Sequence, residues 1–169
     1  GDAMYEAVPE ERKPHLARII SESWLVLGDA ESARRFYDLN AKDGSKKESR
    51  SDLFYSGSVL YAVEDYKGAI EKFSRMGERK DSIGQVASYQ MGYSYIQTKN
   101  KVAAMAAFKE ASSLPYDSVI AEDAYFNWAK LAFDLNNDTS VFRDYLARYP
   151  MLGKGDRINS YIAVAALHE

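Results

Sequence analysis

Residues 89–115 read YQMGYSYIQTKNKVAAMAAFKEASSLP, and this stretch decides the fold of the chain. In its first half, Gly92 is followed at helical spacing by Tyr95. In its second half, Ala104 is followed four residues later by Phe108. Small residues let two antiparallel helices approach each other closely, while the large side chains fill the space beside the contact. The stretch therefore predicts a helical hairpin.

The alanine and aromatic pair of this hairpin recurs twice toward the N-terminus. It stands at Ala69 and Phe73, which is 35 residues earlier, and at Ala33 and Tyr37, which is another 36 residues earlier. Gly57 precedes the middle pair at the position that a glycine takes in the quoted stretch. Because the same pair recurs three times at nearly equal intervals, the sequence predicts a repeat architecture of stacked hairpins.

A fourth unit begins near Glu122 and departs from the pattern in its second half. Trp128 and Ala129 stand where the quoted stretch has its methionine and glycine. Phe142 and Tyr145 then arrive early, and no small residue takes the place of the alanine that precedes the aromatic residue in the other units. The sequence therefore predicts a fourth hairpin whose second helix departs from the repeated pattern.

The repeated spacing resembles the tetratricopeptide repeat (TPR), a pattern of small and aromatic residues with a period of about 34 residues. The resemblance covers about residues 14–150. It implies an all-α fold in which antiparallel helical hairpins stack into a right-handed superhelix, an α-solenoid. We expect one domain over residues 1–169 that forms a piece of a longer chain. Its hairpins are expected at about residues 13–41, 50–76, 82–113 and 118–149, followed by a lone last helix at about residues 156–168.

Capping residues predict where several of these helices begin. Either Asp81 or Ser82 can cap the first helix of the third hairpin, and either Asp117 or Ser118 can cap that of the fourth. Residues 42–50 contain glycine, serines and charges of both signs, which favours a solvated loop between repeats. A basic binding patch is the alternative interpretation of that segment.

Composition limits the classes of function. The chain has 169 residues, of which 46% are hydrophobic, so it can bury one sizeable core. Its net charge of -3 gives no electrostatic reason to expect a nucleic acid or an anionic membrane surface as partner. No apolar run reaches the about 18 residues that span a bilayer, so we expect no direct membrane insertion. The absence of cysteine excludes disulfides and thiolate chemistry.

The sequence contains no recognisable catalytic, cofactor or metal motif. Its two histidines, His15 and His168, lie at opposite ends of the predicted array. Residues 153–156 read GKGD and lack the spacing of a phosphate-binding loop. Glu122 and Asp123 are interpreted as residues that cap helices and interact with helix N-termini, with cation binding as the alternative. We therefore expect no enzymatic activity, no cofactor and no metal site.

The TPR resemblance implies that the first helix of each hairpin faces a concave groove that binds a peptide or a partner's helix. The aromatic side chains on that face are expected to form a strip that receives the ligand, and the alternative is that these rings only pack against neighbouring helices. Arg18 at one end of the groove and Lys130 toward the other end would attract an acidic ligand. By register, the groove carries Arg18, Glu22, Phe54, Tyr55, Ser58, Tyr89, Gln90, Tyr93, Phe126, Asn127 and Lys130.

Some TPR proteins hold the C-termini of chaperones in a two-carboxylate clamp made of lysine, asparagine and arginine. Arg18 can stand for the first lysine of such a clamp. The other clamp positions hold Glu22, Tyr55, Val86 and Gln90, which do not match it. The resemblance therefore implies a peptide-binding groove of a different specificity.

The resemblance implies a non-catalytic protein-protein interaction module, a TPR scaffold that forms part of a larger assembly protein. One alternative is a regulatory or binding segment of an enzyme whose catalytic domain lies outside this chain. Another is a self-associating array, because Tyr161, Ile162 and Val164 on the last helix are expected to be covered by a following helix or a second molecule. Residues 124–128 and 148–150 also resemble TPR proteins of bacterial cell envelopes, which implies a periplasmic or outer-membrane-associated location.

Overall fold

The computed structural model describes residues 28–41, 48–151 and 154–167, and all the regular secondary structure in these residues is α-helical, as expected. The chain divides between Gly77 and Glu78 into two compact units. The predicted helix at about residues 13–27, with Arg18 and Glu22, lies outside the described residues. The first unit contains α1 (Ala30–Ala41), α2 (Arg50–Ala62) and α3 (Tyr66–Ser74), and the second contains α4 (Ser82–Gln97), α5 (Lys101–Ser112), α6 (Ser118–Asn136), α7 (Ser140–Arg148) and α8 (Gly155–Leu167).

Side-chain caps set the start of α1 to α6. Ser49 and Asp52 form a capping box at α2, in which each side-chain oxygen accepts the backbone N–H of the other residue at 3.1 Å. Where the sequence offered two candidates, the structure selects Asp81 for α4 and Asp117 for α6. At α7 the N-cap residue Thr139 makes no such bond. Most helix starts are therefore fixed by local residues.

The turns inside the second and third hairpins repeat each other closely. Glu64 and Lys99, 35 residues apart, have left-handed backbones with φ angles of 64° and 61°. In both turns the N–H of the next residue donates to the carbonyl five residues earlier at 2.8 Å. Those next residues, Asp65 and Asn100, then cap the following helix. One turn geometry therefore reverses the chain in both repeats.

A glycine allows the two helices of each of these hairpins to meet. A Cβ added at Gly92 would lie 2.6 Å from Cε1 of Phe108, and a Cβ added at Gly57 would lie 2.6 Å from Cε1 of Phe73. Both phenyl rings are fully buried. Any larger residue would have to displace the ring, so the pairing of glycine and phenylalanine sets the distance between the helices.

The fourth hairpin replaces this contact with a cluster of aromatic rings. Phe142 and Tyr145 on α7 are both fully buried. The ring of Phe126 on α6 lies with its centroid 5.5 Å from that of Tyr145 and 6.2 Å from that of Phe142. Ala129, at the position of the glycine, is also fully buried. The helices of the fourth hairpin therefore meet through a different contact from those of the second and third hairpins.

The last helix, α8, packs on this aromatic cluster. Tyr161 stacks on Phe142 with centroids 5.0 Å apart and ring planes 12° apart, and Ile162 contacts the same core. The chain itself therefore covers part of these two side chains, and their further burial by a following helix or a second molecule stays a prediction. Val164 and Leu167 remain 45% and 82% exposed. For Val164 the expected cover stays a prediction.

Gln85 joins α4 to the connection that follows α5, and its position was not predicted. Its side chain is fully buried. The amide nitrogen donates to the carbonyls of Ala111, Leu114 and Asp117 at 3.1, 2.7 and 3.3 Å, and the amide oxygen accepts the Asp117 N–H at 2.8 Å. One glutamine therefore satisfies the backbone groups that lead from α5 into α6.

We expect Gly92→Ala to lower the free energy of unfolding by about 1 to 3 kcal/mol, because the new methyl group overlaps the ring of Phe108. Gly155→Ala is the matched control, since a Cβ there meets only Leu146 at an ordinary 3.9 Å. Chemical denaturation of both variants measures the difference. Equal stability of the two variants would contradict the close approach of α4 and α5.

Gln85→Leu is expected to lower the free energy of unfolding by roughly 1 to 3 kcal/mol, because buried backbone groups of the connection lose their partners. Gln97→Leu changes the same side chain at an exposed position of the same helix and should shift stability by less than about 0.5 kcal/mol. Urea unfolding followed by circular dichroism measures both. If Gln85→Leu left the free energy of unfolding unchanged, water would replace the bonds of the side chain without a loss of stability.

Candidate functional site

A hydrogen-bond network joins the first helices of the third and fourth hairpins, α4 and α6. Tyr93 Oη donates to Asp123 Oδ2 at 2.9 Å, and Tyr89 Oη donates to the same oxygen. Asn127 Nδ2 donates to Asp123 Oδ2 at 3.1 Å and to Tyr93 Oη at 3.2 Å. A single carboxylate oxygen therefore accepts three hydrogen bonds. We call these four residues the tyrosine network.

The sequence spacing explains why these four side chains meet. Tyr89 and Tyr93 are four residues apart on α4, and Asp123 and Asn127 are four apart on α6, so each pair shares one face of its helix. Tyr89 contacts Asp123, and Tyr93 contacts Asn127, in both cases over 34 residues. Positions one repeat apart thus contact each other, and α5 packs against both helices.

The two tyrosine rings also pack on the core of their own hairpin. The centroid of Tyr93 lies 5.1 Å from that of Phe108 at an interplanar angle of 88°, and that of Tyr89 lies 6.1 Å from it. The two rings meet each other edge to face at 5.1 Å. Both residues are half-buried. Their packing partners therefore cover one part of each ring and leave another part at the surface.

Burial and hydrogen bonding change the acidity of the network. Burial raises the pKa of Tyr89, and its bonds to Asp123 and Tyr93 raise that pKa further. Burial is also the main cause that raises the pKa of Tyr93, although the bond from Tyr89 acts in the opposite direction. Both hydroxyls therefore stay protonated well into the alkaline range and remain available as donors.

The acidic pair on α6 has a different role from the one expected. Asp117 caps the helix, whereas Asp123 accepts the tyrosine hydroxyls. Glu122 accepts hydrogen bonds from Tyr145 Oη and Lys154 Nζ. The interpretation of Glu122 and Asp123 as capping residues is therefore wrong, because both lie beyond the first turn of α6 and reach side chains on other elements.

Three cationic side chains surround the ring of Phe126, which is 3% exposed. The distances from its centroid are 5.0 Å to Lys130 Nζ, 4.6 Å to Lys154 Nζ and 5.2 Å to Arg157 Cζ. Phe126 therefore belongs to the core and does not offer an exposed ring to a groove. Burial lowers the pKa of Lys130, with Arg157 as the next cause.

Lys154 and Arg157 were not predicted as site residues. Lys154 lies in the segment at residues 153–156, whose sequence lacks the spacing of a phosphate-binding loop. The four-residue spacing from Phe126 to Lys130 was visible in the sequence. The approach of α8 to α6 was not visible, because it depends on tertiary packing.

Three of the remaining predicted groove residues lie on α2 in the first unit, and Gln90 lies on α4 in the second. Phe54 packs on Phe73 with ring centroids 6.4 Å apart, and it meets Tyr55 at 5.7 Å. Ser58 is half-buried. Gln90 on α4 is half-buried beside the tyrosines. The structure thus brings the predicted residues of α4 and α6 together within the second unit.

The part of the chain that the structure describes contains no helix long and apolar enough to cross a membrane. It also holds no group of three or more histidine, cysteine, aspartate or glutamate side chains arranged to bind a metal ion. Comparisons with protein families, curated proteins and solved structures find no match to this chain. The functional conclusion therefore rests on the arrangement of α4, α6 and α8.

We expect the tyrosine network to contribute a constant part of the free energy of unfolding below about pH 10, and we expect that contribution to fall as the pH rises above it. The raised pKa values of Tyr89 and Tyr93 mean that the unfolded chain loses these protons first, so rising pH favours unfolding. A Tyr89→Phe, Tyr93→Phe double variant removes both hydroxyls and keeps the rings. Its stability should fall less steeply between pH 10 and 11.

Urea unfolding at several pH values measures the two slopes. Tyr116→Phe provides the matched control, because its exposed hydroxyl donates to a single backbone carbonyl, that of Lys80. The unfolding free energy of Tyr116→Phe should fall with pH as steeply as that of the wild type. Parallel slopes for the wild type and the double variant would contradict the buried network.

Proposed function

We propose that the chain is a non-catalytic protein-protein interaction module of the TPR type, and that it binds a peptide or a partner's helix along the surface of α4 and α6. We call this surface the α4–α6 face. The observation that carries the proposal is the tyrosine network, in which positions one repeat apart on successive first helices contact each other directly. The α4–α6 face carries Tyr89, Gln90, Tyr93, Asp123, Asn127 and Lys130.

The repeat geometry supports the proposal of a TPR superhelix. In TPR arrays the first helices of successive hairpins line one surface, and the second helices pack behind them. Within the second unit α4 and α6 lie side by side, with α5 packed against both. The repeated close contacts at Gly57 and Gly92 support the same repeat unit on both sides of the division at Gly77. We extend this arrangement to a right-handed stack that acts as a scaffold within a larger assembly.

The chemistry of the face suits the recognition of a protein. Tyr89 and Tyr93 offer large rings whose orientation is already fixed by Phe108 on one side and by Asp123 at the hydroxyls. A ligand that packs against them loses little freedom of these side chains, so more of the contact energy appears as affinity. Tyrosines with fixed rings and hydrogen-bonded hydroxyls are typical anchors of protein interfaces.

The proposal is tested with Gln90→Arg, which places a large charged side chain on the α4–α6 face. Peptides selected from a random display library against the complete chain serve as ligands, and fluorescence anisotropy measures their affinity. We expect the substitution to weaken binding at least tenfold, or about 1.4 kcal/mol, because it blocks access to the rings. Ala106→Arg introduces the same side chain at an exposed position of α5 and should leave affinity unchanged.

Circular dichroism first establishes that both variants are folded. The proposal is wrong if the selected peptides bind Gln90→Arg as tightly as the wild type. It is also wrong if only Ala106→Arg weakens them, because binding would then occur on the second helices.

A further inference from the structure

Three cations converge on one buried ring beside the tyrosine network. We propose that Lys130, Lys154 and Arg157, which we call the cation cluster, bind carboxylate groups of an acidic peptide. Lys130 belongs both to this cluster and to the α4–α6 face. The inference therefore rests on the proposed peptide binding and specifies the chemistry of the ligand.

The geometry of the cluster concentrates positive charge at one place. All three cationic groups lie within 5.2 Å of the centroid of Phe126, a ring that is almost fully buried. A phenyl ring attracts a cation only weakly, and it does not offset the repulsion among three of them. An anion bound among the three groups would offset that repulsion.

Only one of the three cations has a carboxylate partner. Lys154 donates to Glu122, and its Nζ also lies 4.0 Å from Asp123 Oδ1. Among the described residues, neither Lys130 nor Arg157 has a carboxylate oxygen within 4.0 Å. Within the described part of the chain these two cations therefore make no ion pair, and they are the two that a ligand carboxylate would pair with.

The start of α8 adds to the positive potential. Lys154 occupies the N-cap position, because its carbonyl accepts the Ile158 N–H at 3.1 Å. A lysine side chain has no acceptor with which to cap a helix. The positive end of the helix dipole therefore lies at the cluster, and helix N-termini of this kind favour anions. Asp156 in the first turn supplies one negative charge that partly offsets it.

The surroundings favour a peptide over other anions. The chain carries a net charge of -3, so a long polyanion such as a nucleic acid would be repelled elsewhere on its surface. Asp123, Asn127 and Lys130 follow one another at spacings of four and three residues on one side of α6, so a peptide on the tyrosines can reach the cluster. Burial, followed by the positive charges of Arg157 and Lys154, lowers the pKa of Lys130, while Asp123 acts in the opposite direction.

The test titrates N-acetyl-hexaglutamate amide into the complete chain, labelled with nitrogen-15. We expect saturable shifts of the backbone amides of Lys130 and of residues 154–158. A Lys130→Gln, Arg157→Gln double variant should weaken the binding at least tenfold. The matched control is Lys101→Gln, Lys109→Gln, which removes two charges from exposed positions of α5 and should retain the affinity of the wild type.

Several results would overturn the inference. Equal binding of the neutral N-acetyl-hexaglutamine amide would show that carboxylates are not recognised. Inorganic phosphate that binds as tightly as the acidic peptide would show an adventitious ion only. An equal loss in the control variant would show that overall charge alone is responsible. If the double variant does not fold, Arg157→Gln alone, at an exposed position, must still weaken binding measurably.

The outcome is separable from that of the proposed function. Library peptides that lose affinity with Gln90→Arg but not with the Lys130→Gln, Arg157→Gln variant would uphold the α4–α6 face and overturn the cation cluster. If hexaglutamate binding depends on the cation cluster but library peptides bind Gln90→Arg as tightly as the wild type, the cation cluster is upheld and the α4–α6 face is overturned.

Discussion

The contact between a glycine and a phenylalanine ring, made once in each of two hairpins, is the constraint on which the rest of the structure depends. The ring of Phe108 touches the backbone at Gly92, so α4 and α5 approach as closely as the ring allows. The same ring meets Tyr89 and Tyr93. The core contact that closes the hairpin therefore also fixes the orientation of the tyrosines on the α4–α6 face.

Polar groups then connect one hairpin to the next with a specificity that apolar packing lacks. Asp123 accepts both tyrosine hydroxyls, and Gln85 satisfies the backbone between α5 and α6. No buried side-chain nitrogen or oxygen in the described part of the chain is left without a partner. Such bonds add modest net stability, but a shifted register would leave buried polar groups unpaired. They therefore hold successive helices in one relative position.

Charge is distributed in a way that the overall composition hides. The chain is acidic as a whole, yet Lys130, Lys154 and Arg157 gather at one ring of its second unit. Glu122 and Asp123 are held by hydrogen bonds at the edge of this group. Along the second unit the tyrosine rings are therefore followed by a carboxylate that is already hydrogen-bonded. Beyond it lie two cations that make no ion pair with a carboxylate in the described part of the chain.

The sequence by itself determined the helical class and the pairing of a small with an aromatic residue in the second and third hairpins, and it predicts the hairpin boundaries. These features follow from local rules, since helical spacing, capping residues and the size of Gly92 and Ala104 act within one hairpin. It also predicts that Tyr89, Tyr93 and Asn127 belong to one groove-lining face of successive first helices, because the repeat period relates their positions. The extension of this pattern to a full superhelix stays a prediction.

Only the tertiary structure decided which groups those side chains contact. The bonds of Gln85, the bonds from the two tyrosines to Asp123 and the approach of Arg157 to Phe126 join residues 26 to 34 positions apart. They lie on helices whose docking no local pattern specifies. Tyr161 shows the same limit, since its ring stacks on Phe142 of the same chain. The local sequence around an apolar residue does not tell whether its own chain or another molecule buries it. Burial and charge pairing depend on how whole helices pack, and that information is spread over the entire chain.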